Sequence, residues 1–183
     1  MKSKHPFSEK QIPILAKHQR TEATLFTKQK IDQSHYLFDE GFIDIRKIGL
    51  RGDNYYHLEN NPPYYKKING SINELLLRKT VSEKFLEANQ ELNDYGIELY
   101  FFDCFRPIEV QKYFYNEWYL IVLKQIYPEL SEKEILNKRD LFTAKPYNSY
   151  DDIDIDSPPP HSTGAAADVT LRFIDSKAHL FMG

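Results

Sequence analysis

The sequence predicts an α+β fold, and three observations carry that expectation. Short β-rich segments and longer segments with apolar residues at three- and four-residue offsets are mixed along the chain. They do not alternate as a βαβ repeat would require. The chain's 183 residues, 41% apolar and 28% charged, suffice for one packed domain.

Residues 1–37 are polar, Gln- and Lys-rich and weakly periodic, and are expected to form a loosely attached N-terminal extension. The domain proper is expected over 38–183. Phe42-Ile43-Asp44-Ile45 alternates apolar and polar residues as a half-buried strand does, and Asn60-Asn61-Pro62-Pro63 is turn chemistry. Ser71-Ile72-Asn73-Glu74 fits a capping box, so a helix is expected from Ser71, with Leu75, Leu76, Val81, Phe85 and Leu92 on its apolar side. Asn93-Asp94-Tyr95-Gly96 should end it, with Gly96 left-handed.

Ile97 to Phe102 reads as a buried strand, and Pro107 can open a second helix that runs to Tyr127 and stops at Pro128. Ser131-Glu132-Lys133-Glu134 is another capping box, for a short helix to about Lys138. The chain then reads as loop from Leu141 to Pro160. A last strand is expected from Gly164 to Phe173, with Ala167, Val169 and Leu171 on one face and Ala166, Asp168 and Thr170 on the other.

Composition excludes several classes. With 24 Lys and Arg against 27 Asp and Glu, the net charge of −3 gives no electrostatic reason for nucleic acid or an anionic membrane as partner. A lone cysteine, Cys104, excludes a disulfide framework and a cysteine zinc cage, and it reads as buried. No apolar run is long enough to span a bilayer or to serve as a leader, so a soluble, cytoplasmic protein is expected. Asp152, Asp154 and Asp156 alternate like a calcium loop, but Ser157 and Thr163 stand where Gly and Glu are required. The aromatic cluster Tyr113, Phe114, Tyr115, Trp118 and Tyr119 reads as the packing face of the second helix rather than a ligand platform.

Two segments can carry chemistry. His161-Ser162-Thr163-Gly164-Ala165-Ala166-Ala167-Asp168 sets an imidazole at a loop-to-strand junction and a carboxylate on the following strand, with small residues between. Imidazole nitrogen and carboxylate oxygen are a pair that zinc accepts. The same residues also suit a histidine capping a strand and an aspartate bonded to a turn. Asp103-Cys104-Phe105-Arg106-Pro107 ends the central strand, where Arg106 could face a cleft and stabilise an oxyanion, or simply pair with Asp103 or Glu109.

Taken together and in this order, Phe105-Arg106-Pro107 and the His161-to-Asp168 run resemble the zinc D-Ala-D-Ala dipeptidases, the vancomycin-resistance type included, of the zinc D,D-peptidase family. Asp44-Ile45-Arg46 through Asp53-Asn54-Tyr55 is similar to an early segment of that family. The resemblance covers roughly residues 42–183. It implies a small central, mostly antiparallel sheet flanked by helices, of the zinc D,D-peptidase and hedgehog type. It further implies one zinc ion on His161 and Asp168, Arg106 as transition-state stabiliser, and D-alanyl-D-alanine as the peptide hydrolysed.

The chain departs from that pattern in three places. Pro159 stands where the vancomycin-resistance type has a Ser two residues before its His, which leaves the substrate-binding residues unassigned. The loop between the motifs is long and acidic. The family's general-base Glu and third ligand His lie in a Glu-any-Trp-His-like segment downstream of the Asp, whereas no Glu follows Asp168 here and the one Trp is Trp118. His179 sits in the terminal turn, and His5, His18, His35 and His57 precede the motifs. The expectation is a C-terminally truncated dipeptidase without its last strands and with impaired or lost activity. The alternatives are half of a split enzyme completed by a separate C-terminal fragment, or a non-catalytic muropeptide-binding module.

Overall fold

The computed structural model describes residues 30–182. Its elements run β1 (Phe42–Asp44), β2 (Arg51–Gly52), β3 (Leu76–Arg78), α1 (Lys79–Asn93), β4 (Ile97–Asp103), α2 (Ile108–Tyr113), α3 (Tyr119–Ile126), α4 (Glu132–Phe142) and β5 (Asp168–Phe173). The α+β class holds. Two small sheets form, one an antiparallel pair of β1 and β3, the other three-stranded in the order β2-β4-β5. Within the second sheet β2 runs parallel to β4, and β5 antiparallel. Among the described residues no helix is long and apolar enough to cross a membrane.

β4 is the centre of the fold because it has partners on both edges and is buried nearly throughout. Leu99 and Phe101 on it meet Ile45, Leu50, Leu75 and Leu77 in one core, which Val81, Phe85 and Leu92 of α1 cover. A second core gathers Tyr56, Ile68, Val110 and Phe114, with Tyr64, Trp118 and Tyr119 packed against it. The helix that follows Pro107 runs to Ile126 with a π-helical turn at Phe114–Trp118, which joins α2 to α3.

The helix expected from Ser71 is corrected. Residues 71–75 are irregular, Leu76–Arg78 is a strand, and the helix begins at Lys79. Pairing with β1, in register Ile43 to Leu77, buries Leu75 and Leu77 completely, and burial on that scale outweighs a local capping signal. The true helix start is capped from a distance. Glu40 accepts hydrogen bonds from the Thr80 amide at 2.9 Å and the Thr80 hydroxyl at 2.8 Å, and pairs with Arg78 at 2.9 Å. Gly96 is left-handed as expected. The Ser131 capping box forms, but its helix runs four residues further than expected, to Phe142. The last strand starts at Asp168 rather than Gly164, because residues 160–164 form a 3-10 turn closed by Gly164.

Of the proposed N-terminal extension, residues 1–29 lie outside the described residues. Ile31 donates to the Ile155 carbonyl at 2.7 Å, and Arg78 donates to the carbonyls of Leu37 and Phe38. Arg78 thus binds this segment and β3 to the same carboxylate, that of Glu40.

Replacing Glu40 by alanine removes the α1 cap and strands the Arg78 charge, and should lower the unfolding free energy by about 1–3 kcal/mol in urea titration. Burial pushes the Glu40 carboxyl up, but hydrogen bonds from Thr80 and Arg78 outweigh it and hold it below its ordinary value of 4.5. Its contribution is therefore complete above that value and fades as pH falls through the lower, folded one. Glu40→Ala should flatten the acid limb of the stability–pH profile.

Candidate metal and peptidase site

The site grows from the end of β4. Between Phe101 and Asp103 the register against β5 shifts, so that Asp103 comes directly opposite Asp168 across the strand pair. Two facing carboxylates repel. Arg106 resolves the conflict: its Nη2 lies 2.8 Å from Asp103 Oδ2 and 2.9 Å from Asp168 Oδ2, while its Nε donates to Asp103 at 2.9 Å. Nη1 donates to Gln111 Oε1 at 3.2 Å and Nη2 to the Tyr56 hydroxyl at 3.0 Å. Burial alone would make Arg106 easier to deprotonate; Asp103, Tyr56 and Asp168 reverse that and raise its pKa further above neutrality. The guanidinium is a fixed cation.

His161 enters from the 3-10 turn at Pro160–Thr163. Its Nδ1 lies 2.9 Å from the Cys104 carbonyl and 3.2 Å from Asp103 Oδ2. A carbonyl can only accept, so Nδ1 carries a hydrogen and, in the neutral imidazole, Nε2 is bare. That bare nitrogen lies 3.6 Å from Asp168 Oδ1. The turn is pinned on both sides, by Arg106 N–H to the His161 carbonyl at 3.2 Å and by Arg78 N–H to the Gly164 carbonyl at 2.9 Å.

Among the described residues, the group whose ligand atoms come within 4.8 Å of one another is Asp103, His161 and Asp168, and none of His35, His57 and His179 joins it. His179 instead packs on the rings of Tyr100 and Phe102. His5 and His18 lie outside the described residues. Cys104 is fully buried, with its thiol pushed up by burial, and is no nucleophile.

The structure therefore brings Arg106, His161 and Asp168 to one place. A cavity of about 380 Å³ opens over them, lined by the rings of Tyr56, Tyr64, Phe114, Tyr119 and Phe142 and by Pro159 and Pro160. A larger cavity of about 780 Å³ lies beyond His161, walled by Ile31, Phe38, Val81 and Ala166. Arg78 and Glu40 on its wall pair with each other, and Arg106 and Asp168 line only the smaller cavity, which is the one that gathers all three residues.

A family model described as D-ala-D-ala dipeptidase matches residues 39–183. The chain belongs to that family. A search of curated proteins returns no match. The family is zinc-dependent, and the residues of this site fit the ion. Zinc bonds of about 2.0–2.2 Å at a tetrahedral angle set two ligand atoms about 3.4 Å apart, close to the observed 3.6 Å between His161 Nε2 and Asp168 Oδ1. The opposite ring nitrogen is held by a carbonyl, the outer contact that ligating histidines need. Asp103 lies on the Nδ1 side, 1% exposed, and serves the imidazole and the guanidinium together. Its Oδ1 has no hydrogen-bond partner among the described residues.

Several members of the site were not read from the sequence. The contact of Asp103 with His161 crosses 58 positions and has no local signal. Phe114 and Tyr119, read as packing residues, do pack in the second core but also wall the cavity. Tyr56, Tyr64, Gln111 and Phe142 arrive by tertiary folding alone.

Gly164 has φ +69°, and a Cβ there would sit 2.0 Å from Phe42 Cε1. Gly164→Ala should cost about 1–3 kcal/mol in thermal unfolding. It should also weaken zinc binding, because the displaced turn carries His161.

Proposed function

We propose that this site holds one zinc ion on His161 Nε2 and Asp168 Oδ1 and takes D-alanyl-D-alanine or a closely related small peptide, with slow turnover by this chain alone. The observation that carries the proposal is the 3.6 Å approach of the bare imidazole nitrogen to a carboxylate that a buried arginine already orients.

Zinc, when bound at such a donor pair, polarises a peptide carbonyl and lowers the pKa of water to about 7. The chain's own residues supply the rest. Arg106 is a permanent cation beside the ion's ligands, with its donors fixed by Asp103, Gln111 and Tyr56, so stabilising negative charge on a carbonyl oxygen costs little reorganisation. The cavity's aromatic wall excludes water from the peptide and raises the strength of those charges.

Slow turnover follows from the acid–base inventory. Asp103 is engaged by Arg106 and His161, and Asp168 by Arg106 and the proposed metal. Among the described residues no further carboxylate joins the cluster to receive a proton from water. Two protein ligands in place of the usual three also weaken metal retention. A separate polypeptide carrying a Glu and a His would restore both, and a protein that binds muropeptide ends without cutting them would need neither.

The test is a zinc titration of the chain with D-Ala-D-Ala present, following both dipeptide binding and release of D-alanine. The reading expects zinc-dependent binding with turnover well below the usual range of about 1–1000 per second. His161→Ala and Asp168→Ala should each abolish the zinc dependence. Rapid hydrolysis by the chain alone would overturn the slow-turnover part, and absence of zinc-dependent binding would overturn the site assignment.

A further inference from the structure

The larger cavity beyond His161 has no role in holding the metal or a dipeptide, yet it is built against the same turn. His161 and Pro160 line both cavities, while Ser162 lines the smaller one and Thr163 the larger. The Pro160–Thr163 turn is therefore the ridge between them, and His161 stands on it. At about 380 and 780 Å³, both cavities fall within the range of about 300–1,000 Å³ typical of small-ligand sites. A dipeptide of two alanines needs only the smaller.

The two differ in chemistry. Arg106 gives the smaller cavity a fixed cation, so the carboxylate end of a peptide belongs there. The cations of the larger one are already matched: Lys30 lies 2.8 Å from Asp156, and Arg78 lies 2.9 Å from Glu40. Besides His161, its other ionisable groups are Asp32 and His35, both exposed. The remaining walls are largely apolar, with Ile31, Leu37 and Phe38 on one segment, Val81 on α1, and Pro160 and Ala166 at the turn and the approach to β5. Hydrogen bonds hold these walls in place. Arg78 binds the carbonyls of Leu37 and Phe38, Ile31 donates to Ile155, and the Lys79 amide donates to the Gly41 carbonyl at 3.0 Å. Such a lining stabilises an apolar ligand group by taking its surface out of water.

We propose that the larger cavity is a subsite for an apolar side chain on the residue that precedes the dipeptide unit, so that the preferred ligand is a peptide crossing the turn from one cavity to the other. This rests on the peptide-binding reading above and extends it on the substrate's amino-terminal side. The carboxylate end stays with Arg106, and the chain runs over His161 toward Ile31 and Phe38. A leucine at that position buries its side chain there, whereas a glycine brings no surface to bury. A lysine carries an ammonium among walls where Glu40 is committed to Arg78 and Thr80, which disfavours it.

Titration calorimetry of the zinc-loaded chain would compare D-Ala-D-Ala with the same dipeptide extended by Gly, L-Leu or L-Lys at its amino end. Where a peptide is consumed, kcat/KM replaces Kd. The expected result is affinity for the Leu tripeptide about tenfold tighter than for the Gly one, with the Lys one no better than Gly. Ile31→Asp keeps the backbone contact to Ile155 and sets a carboxylate on the apolar wall. It should erase the Leu gain, favour the Lys tripeptide and leave D-Ala-D-Ala binding unchanged, with the melting temperature checking the fold. If that variant fails to fold, the wild-type series decides alone. D-Ala-D-Ala binding with equal affinities for the Leu and Gly tripeptides would overturn the subsite and leave the dipeptide reading standing. A cavity covered by another part of the chain or by a second copy shows that same equality. A Leu gain that survives in folded Ile31→Asp would also overturn the subsite. Binding of the Leu tripeptide without D-Ala-D-Ala, lost in Ile31→Asp, would overturn the dipeptide reading and keep the subsite. No binding of any peptide would overturn both.

Discussion

A single guanidinium between two carboxylates organises this protein's centre. Asp103 and Asp168 are cross-strand partners, and without Arg106 their repulsion would fall at the one place where β4 and β5 must stay paired to present a site. Arg106 is itself nearly buried, against the rings of Tyr56 at 5.1 Å and Phe114 at 5.7 Å. Removing Arg106 leaves two facing carboxylates uncompensated, of which Asp103 is fully buried, the situation in which a buried pair costs far more to break than it contributes when intact.

The same three groups tie the structure to its chemistry. Asp103 is shared between Arg106 and the protonated nitrogen of His161, so the orientation of the cation and the orientation of the imidazole are set by one side chain. The Cys104 carbonyl fixes the tautomer, and the fixed tautomer turns Nε2 toward Asp168. Gln111 extends the arrangement outward: its oxygen accepts from Arg106, and its amide nitrogen donates to Thr143 at 2.8 Å and to the Ala144 carbonyl at 2.7 Å. Through it, the loop after α4 is anchored to the charge at the bottom of the cavity. The aromatic core around Phe114 supplies rigidity, and Tyr56 within it accepts a hydrogen bond from Arg106.

Much of this was legible in the sequence, and the failures have a common cause. β4, the helix after Pro107 and the left-handed Gly96 follow from local pattern, turn residues and proline. Arg106, His161 and Asp168 stand out by the resemblance of Phe105-Arg106-Pro107 and the His161-to-Asp168 run, taken together, to the dipeptidase family; their spacing alone suits a structural role better. Ser71-to-Glu74 misled because a capping box is a local signal, while Leu75 and Leu77 are claimed by a strand partner some thirty residues earlier. Glu40, which caps the real helix, is 40 residues from Thr80, and no window reading could pair them. Asp103 looked like a simple partner for Arg106; its second role needed the register shift in β4, which brings two distant segments into line.

The central claim is that His161 and Asp168 together hold the metal while Arg106 stands beside them. X-ray absorption spectroscopy at the zinc edge, on the stoichiometrically loaded protein and on His161→Ala, measures this directly. The account predicts a shell of nitrogen and oxygen at about 2.0–2.2 Å with the scattering signature of one imidazole, which disappears in the variant. An unchanged imidazole signature in His161→Ala would place the ion on other histidines and contradict the account.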